Sequence, residues 1–262
     1  MKISNTYISG LFVDESNNDH FDLLNPADES KLGSLICSNK NQVDSAIDAA
    51  LANENLAASL TKEQRILILQ EILDGVILRS EDLAAAISLE MGAPINLSSS
   101  SHIQMGTDHL QNTINTLNHY SFEEDYDEYK VVKVPIGLVA LITPWNWPLN
   151  QTLTKISSAI AAGCSIVMKP SEYSALSSRI LIEILDETSL PKGCFNCING
   201  IGSVIGPMIS GHPDIKMISF TGSTLAGINI QQLAAKSIKR VSLELGGKSA
   251  HIICKGVDLE KA

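Results

Sequence analysis

The chain has little basic charge. Its 262 residues contain 19 lysines and arginines against 29 aspartates and glutamates, which gives a formal net charge of −10. Nucleic-acid binding depends on lysine and arginine contacts to the phosphate backbone, so this balance argues against a general nucleic-acid binder. Hydrophobic residues make up 44% and charged residues 18% of the chain. The composition therefore predicts a folded protein with a large core.

The chain also lacks an uninterrupted apolar segment of membrane-spanning length. Residues 131–149 carry a single charge, but three prolines interrupt them. A spanning helix must satisfy its backbone hydrogen bonds internally, and three prolines oppose that. At the N-terminus, polar residues stand at positions 4 to 6, where a signal peptide needs a continuous apolar run. We therefore expect a soluble, cytoplasmic protein with no membrane partner.

Cysteine is scarce, and the five present are an odd number for a disulfide framework. This count suits a reducing compartment. Cys194 and Cys197 form a CxxC pattern within a predicted strand, where residues three apart point to opposite faces and cannot share a metal ion. No second CxxC or spaced histidine pair accompanies them in the sequence. We expect these thiols to pack in the core, and no metal site.

The two halves of the chain differ in pattern. The first half favours three helices. One spans 41–60, a second follows a capping box at 61–64, and a third spans 81–91 and ends at Gly92. An acidic run at 123–128 follows, with five acids in six residues, and then an alternating stretch at 129–134. These segments predict either a plain solvated turn or a protruding arm with a strand.

From residue 137 onward, short apolar strands alternate with helices. The predicted strands are 138–142, 165–168, 195–198, 217–220, 241–244 and 251–254, and the helices between the first five are 152–162, 175–187, 204–210 and 224–237. This alternation predicts an α/β fold, a Rossmann-like, doubly wound parallel sheet with helices on both faces. Ligands bind such sheets at the carboxyl ends of the strands, so the residues there are the candidate site.

Polar side chains follow the first two of these strands. The loop ITPWNWP holds Asn146 between two prolines, which suits an amide that donates to an oxyanion, although a turn with packed tryptophans explains it equally well. Lys169 and Glu172, after the second strand, suit the hydroxyls of a ribose or another sugar. Taken alone, such a pair is more often a surface ion pair.

Glycine turns mark the other informative positions. Residues 222–227 open a helix, whose free N–H groups and dipole favour a phosphate. Glu244 ends an apolar strand, where partial burial would raise its pKa toward the range of a general base. The pattern GIGSVIG at 200–206 is an incomplete dinucleotide fingerprint and predicts a loop that opens a helix. Residues 247–249 resemble the end of a P-loop, but Ser242 replaces its first glycine and a strand is predicted where a helix is required.

The segments ITPWNWP, MKPSE, FTGSTLAG and LELGGKS, in this order, resemble the aldehyde dehydrogenase superfamily. The resemblance covers nearly the whole chain, from NPA at 25–27 through LEMGAP at 89–94 to DLEKA at 258–262. Members oxidise an aldehyde to an acid with NAD or NADP through a cysteine thiolate. The resemblance implies an N-terminal helical part of the cofactor-binding domain at 1–120, an acidic turn with an oligomerisation-type arm strand at 121–136, and a Rossmann-like NAD-binding core at 137–262.

The resemblance also implies residue roles. Asn146 resembles the oxyanion-hole amide, and Glu244 resembles the base that activates water or the thiol. Lys169 and Glu172 resemble the ligands of the adenosine ribose. The Glu172 carboxylate would repel a 2′-phosphate, so NAD is expected in preference to NADP. The expected cofactor contacts are Thr143, Trp145, Lys169, Ser171, Glu172, Gly202, Gly222, Ser223, Gly227, Leu245 and Gly246.

The sequence departs from the family at the nucleophile. The family's catalytic cysteine follows the glutamate in a second α/β domain, which also takes part in its homo-oligomers, and none of the five cysteines here has that context. We therefore expect the N-terminal, cofactor-binding portion of an NAD-dependent aldehyde dehydrogenase, inactive by itself and with an aldehyde substrate only in a full-length enzyme. The alternatives are a non-catalytic dinucleotide-binding or interaction module and, less favoured, a P-loop NTPase that uses Lys248.

Overall fold

The computed structural model describes residues 2–13 and 18–260, and within them the chain forms twelve strands and ten α-helices. The strands are β1 (Lys2–Ile3), β2 (Tyr7–Ile8), β3 (Leu11–Phe12), β4 (His20–Leu24), β5 (Lys31–Ile36), β6 (Glu123–Asp125), β7 (Lys130–Val132), β8 (Val139–Ile142), β9 (Ile166–Lys169), β10 (Phe195–Cys197), β11 (Met217–Gly222) and β12 (Arg240–Leu245). The helices are α1 (Lys40–Ala52), α2 (Glu54–Ser59), α3 (Lys62–Leu78), α4 (Ser80–Met91), α5 (Ile95–Leu97), α6 (Ile103–His119), α7 (Pro148–Ala162), α8 (Ala175–Asp186), α9 (Gly202–Ser210) and α10 (Thr224–Ala235). A π-helical segment spans Ser98–His102, and a 3-10 turn spans Glu172–Ser174. Lys261 and Ala262, the end of the family-like motif at 258–262, lie outside the described residues.

Seven of the described strands form the main sheet, in the order β12-β11-β8-β9-β10-β2-β3. The five strands from β12 to β10 are parallel, which confirms the predicted sheet. The chain runs outward from β8 through β9 to β10, and then crosses back to place β11 and β12 on the other side of β8. This reversal makes a switch point between β8 and β11, where the following loops diverge and a ligand can bind.

Helices cover both faces of this sheet, as the alternation predicts. Successive residues of β8 point to opposite faces. Val139 and Leu141 pack in a core with buried side chains of α3, α4, α6, α7 and α8. Ala140 and Ile142 pack in a second core with α1, α9 and α10. Because β8 is buried on both faces, its sequence is a continuous apolar run.

The N-terminal residues contain strands where the sequence predicts a mostly helical first half. Strands β1, β5 and β4 form a separate sheet whose core includes Ala175, at the start of α8. Strands β2 and β3 extend the main sheet, with β2 antiparallel to β10. Strands β1, β2 and β3 have two residues each, which is too short for an alternation to show. Distant partners in the chain stabilise them.

Other local expectations have mixed outcomes. The predicted capping box is confirmed, because the Thr61 and Gln64 side chains each accept from the other residue's backbone N–H. Gly92 ends α4 with a φ of 78°, as predicted. The predicted helix at 41–60 is two helices separated at Asn53. The predicted strand at 251–254 is wrong: these residues are exposed, contain neither helix nor strand, and pair with no other strand of the described residues.

The acidic run belongs to a hairpin. Strands β6 and β7 pair with each other as a two-stranded sheet. Lys130 binds Glu123 at 2.9 Å and Asp125 at 3.3 Å, and Lys133 binds Glu124. Most of this hairpin is exposed, and its lysines offset part of its negative charge. Across residues 2–13 and 18–260, no helix combines the length and the apolar character that crossing a bilayer requires.

Candidate functional site

The loops after β8, β11 and β12 meet at one edge of the sheet. Pairing places Ile142 beside Phe220, and Thr221 beside Glu244. A cavity of about 450 Å³ lies beyond these strand ends, and we name it the site cavity. Its lining comprises Pro144, Trp145, Asn146, Gln151, Thr221, Gly222, Ser223, Glu244, Leu245 and Gly246. The fold thus brings the predicted Asn146 and Glu244 to one cavity with five of the predicted cofactor contacts.

The two tryptophans of the loop after β8 have different positions. Trp147 has a left-handed backbone, with a φ of 56°, and its ring stacks on buried His102 with 4.0 Å between the ring centroids. This conformation is uncommon for a bulky residue and persists only where neighbouring contacts hold it. Trp145 is 52% exposed and lines the site cavity beside Asn146. One tryptophan therefore packs, and the other is available to a ligand.

The glycine turn after β11 opens α10, as predicted. Ser223 precedes the helix, and its hydroxyl accepts the N–H of Ala226 at 3.2 Å. Gly227 lies one turn into α10, where a Cβ atom would come 2.7 Å from the side chain of Leu245. A methyl group at this position would therefore require the Leu245 side chain to move. Gly222 and Ser223 line the site cavity, whereas Gly227 supports it from behind.

Lys169 and Glu172 form a buried ion pair instead of the surface pair considered as the alternative. Lys169 ends β9, and its Nζ lies 2.8 Å from Glu172 Oε2, with side chains only 3% and 13% exposed. Glu172 Oε1 accepts the N–H of Gly202, the first residue of α9, at 3.1 Å. Burial alone would raise the pKa of Glu172, but the Lys169 ammonium and these hydrogen bonds hold it below its ordinary value. The carboxylate is therefore ionised at neutral pH.

Thr143 and Ser171 use their polar groups within the protein. The Thr143 N–H donates to the Lys169 carbonyl at 3.2 Å, and its hydroxyl lies 3.4 Å from that of Thr152. Ser171 accepts the N–H of Tyr173 at 3.3 Å. Both side chains are buried. In this structure they fix the loops after β8 and β9.

Glu244 is exposed, so the partial burial expected from the sequence is absent. A buried lysine that the sequence patterns did not single out lies near it. Lys155 of α7 donates to the Ser219 hydroxyl at 2.8 Å, and it lines a groove of about 510 Å³ together with Glu244. Burial lowers the pKa of Lys155, and the Glu244 carboxylate opposes that shift. The available signal was that Lys155 is the one charged residue of α7.

The weaker sequence motifs also have defined positions. Helix α9 begins at Gly202, which confirms that the glycine pattern at 200–206 opens a helix. Residues 246–254 contain neither helix nor strand, so Lys248 is not followed by the helix that a P-loop requires. Cys194 and Cys197 are free and pack in the core, as predicted. Within the described part of the chain, no group of three histidine, cysteine or acidic residues is arranged to hold a metal ion.

Comparison with known proteins gives a consistent result. The family model of the aldehyde dehydrogenase family matches residues 12–262. A crystal structure of aldehyde dehydrogenase from Bartonella henselae superposes with a TM-score of 0.95 at 39% identity, covering 99% of this chain and 56% of that one. Aldehyde dehydrogenase C of Pseudomonas syringae, a mutant in complex with NAD⁺ and octanal, gives a TM-score of 0.95 at 38% identity, with coverages of 99% and 54%. A Staphylococcus aureus relative is 43% identical over 257 residues, 98% of this chain and 54% of its own length. The chain thus spans about half the length of the curated relatives it matches.

Proposed function

The chain belongs to the aldehyde dehydrogenase family, and we propose that it is the NAD-binding part of an NAD-dependent aldehyde dehydrogenase. The observation that carries the cofactor assignment is the buried Lys169–Glu172 pair at the carboxyl end of β9. Its carboxylate is ionised, and the first N–H of α9 also binds it. A fixed carboxylate beside an ammonium suits the two hydroxyls of an adenosine ribose.

Residues on both sides of the switch point fit the rest of a dinucleotide. A Cβ atom at Gly202 would lie 3.8 Å from Lys169 Nζ, so the glycine leaves room for a ligand beside the pair. The start of α10, at Gly222 and Ser223, offers N–H groups and a positive dipole end to a pyrophosphate. The Thr221 hydroxyl is buried at the site cavity and has no hydrogen-bond partner among the described residues.

The lining of the site cavity supports the proposed catalytic roles of Asn146 and Glu244. Asn146 presents an amide that can donate to an oxygen that gains negative charge during attack on a carbonyl. Glu244 presents a carboxylate that can take a proton from water or from a thiol. Bound NAD would supply a hydride acceptor. The proposed overall reaction is therefore the oxidation of an aldehyde to a carboxylic acid.

We propose that the 262-residue chain does not perform this reaction alone. None of its five thiols, all described, is among the residues that line the site cavity. Cys37, Cys164, Cys194 and Cys197 are buried, and burial raises the pKa of each thiol, to about 11 for Cys194. A thiol with a raised pKa is a poor nucleophile. Unpaired thiols also support a reducing compartment such as the cytosol.

Titration of the purified chain with NAD and NADP, followed by calorimetry and by quenching of Trp145 fluorescence, tests the cofactor proposal. We expect saturable NAD binding that is tighter than NADP binding, because the Glu172 carboxylate repels a 2′-phosphate. Glu172→Gln should lower the ratio of NAD to NADP affinity by about tenfold, since it removes this repulsion. The matched control is Glu187→Gln, in an exposed residue just beyond the other end of α8.

The control should leave both affinities unchanged. Equal or tighter binding of NADP to the wild-type chain would show that Glu172 does not select the cofactor. No saturable binding of either nucleotide would refute the proposed NAD site. Incubation with NAD and a panel of aldehydes should give no increase in NADH absorbance, and a Glu244-dependent increase would refute the proposed inactivity of the isolated chain.

A further inference from the structure

A buried carboxylate on α4 contacts the segment that carries Glu172. Glu90 lies in the last turn of α4 and is 7% exposed. One of its oxygens accepts the N–H of Leu176 at 2.6 Å, and the other accepts the N–H of Ser177 at 3.1 Å and also the Ser177 hydroxyl. All three donors belong to the first turn of α8.

These bonds take the place of a local helix cap. Ser174 immediately precedes α8, but its hydroxyl donates to the Ser171 carbonyl at 3.1 Å. The first N–H groups of a helix need acceptors, and a carboxylate there also interacts favourably with the helix dipole. Glu90, which lies 86 residues before Leu176 in the sequence, provides both the acceptor oxygens and the carboxylate. The helix start therefore depends on a side chain from another part of the fold.

The capped turn is continuous with the proposed ribose site. Glu172 begins the 3-10 turn that leads directly into α8 at Ala175, so it stands four residues before Leu176. The ionised Glu172 carboxylate must keep its position relative to Lys169 and the Gly202 N–H. A shift at the start of α8 would move the turn and the carboxylate with it.

We infer that Glu90 is a positioning residue for the cofactor: its carboxylate caps α8 and thereby holds Glu172 against Lys169 where a ribose binds. The inference rests on the proposed NAD site. Glu90 itself is buried beneath this segment and contacts the backbone, so its effect on a nucleotide passes through residues 172–177.

Two neutral variants of similar size separate capping from packing. Glu90→Gln retains one acceptor oxygen, which can serve the N–H and the hydroxyl of Ser177, and it loses the acceptor for the Leu176 N–H. Glu90→Met fills the same space without an acceptor. We expect Glu90→Met to weaken NAD binding by about tenfold or more, and Glu90→Gln, which keeps one of the two acceptor oxygens, to weaken it less than Glu90→Met does. Glu81→Gln, in an exposed residue at the other end of α4, is the control and should have no effect.

Hydrogen–deuterium exchange without nucleotide provides a second, independent readout. In Glu90→Met, the amides of Leu176 and Ser177 should exchange about tenfold faster or more, while those of α3 keep their protection. Should Glu90→Met fail to fold, Ser177→Ala removes one donor and should weaken NAD binding in the same direction. Wild-type NAD affinity in folded Glu90→Met, or in Ser177→Ala where that variant is needed, would overturn the inference. Absence of NAD binding in the wild-type chain would overturn the proposed function and the inference together.

Discussion

The burial of Glu90 predicts a specific dependence of stability on pH. Burial raises the pKa of this carboxyl to about 7 from an ordinary value of 4.5, and the hydrogen bonds from Ser177 and Leu176 only partly oppose the shift. In the unfolded chain the group titrates near its ordinary value. The folded state therefore binds a proton more tightly than the unfolded state, and protonation of Glu90 stabilises the fold.

The sign and size follow from the two pKa values. The stabilisation is fully present below pH 4.5 and is lost as the pH rises through 7. A difference of roughly 2.5 pKa units corresponds to about 3 kcal/mol in total, of which about 1 kcal/mol falls between pH 6 and pH 8. The range from pH 6 to pH 8 lies above the isoelectric point near 5.0, and solubility is poorest at the isoelectric point.

Urea unfolding of the wild type and of Glu90→Gln at pH 6, 7 and 8 measures this effect. The free energy of unfolding of the wild type should fall by about 1 kcal/mol relative to that of the variant across the window. Glutamine does not titrate, so subtraction removes the contributions of all other groups. Parallel curves for the two proteins would refute the reasoning, because they would show that Glu90 does not change its protonation near neutral pH.

Three further measurements test the fold. Leu153→Ala, at a fully buried position on α7, should lower the free energy of unfolding by about 2–5 kcal/mol, whereas Leu78→Ala, at a residue 82% exposed, should change it by less than about 0.5 kcal/mol. Gly163→Ala should destabilise the protein by more than about 1 kcal/mol, because the residue has a φ of 78° and the new methyl group would meet the Arg65 guanidinium. A thiol reagent should label Cys254 rapidly in the native chain and all five cysteines only after unfolding, since the other four are buried. Equal losses at both leucines, a stable Gly163→Ala, or rapid labelling of more than one thiol would each contradict the described core.

The sheet, and the meeting of the candidate site residues at one of its edges, were predictable because they depend on local pattern. The apolar residues of β8, β9 and β11, the helices between them and the loops at their carboxyl ends are each visible within short windows of sequence. Because parallel strands place their carboxyl ends at the same edge of a sheet, the sequence also predicted that the residues after these strands lie together at that edge. In the structure, Asn146 and Glu244 line one cavity at this edge, and their catalytic roles stay a prediction.

Local pattern did not predict features that depend on distant partners. The short N-terminal strands are stable because β2 pairs with β10 and because β5 pairs with β1 and β4. Within the described part of the chain, residues 251–254 pair with no strand, and they do not form the predicted strand.

The sequence by itself determined the strand and helix alternation, the capping of α3 and the residue types at the strand ends. Those properties depend on neighbours within a few residues along the chain. Only the tertiary structure decided that the Lys169–Glu172 pair is buried, that Lys155 approaches Glu244, and that Glu90 caps α8. Burial and long-range hydrogen bonds depend on which distant segments meet in the fold. The physical reason for the division is that burial, and with it the charge state of these groups, is set by packing between segments far apart in the sequence.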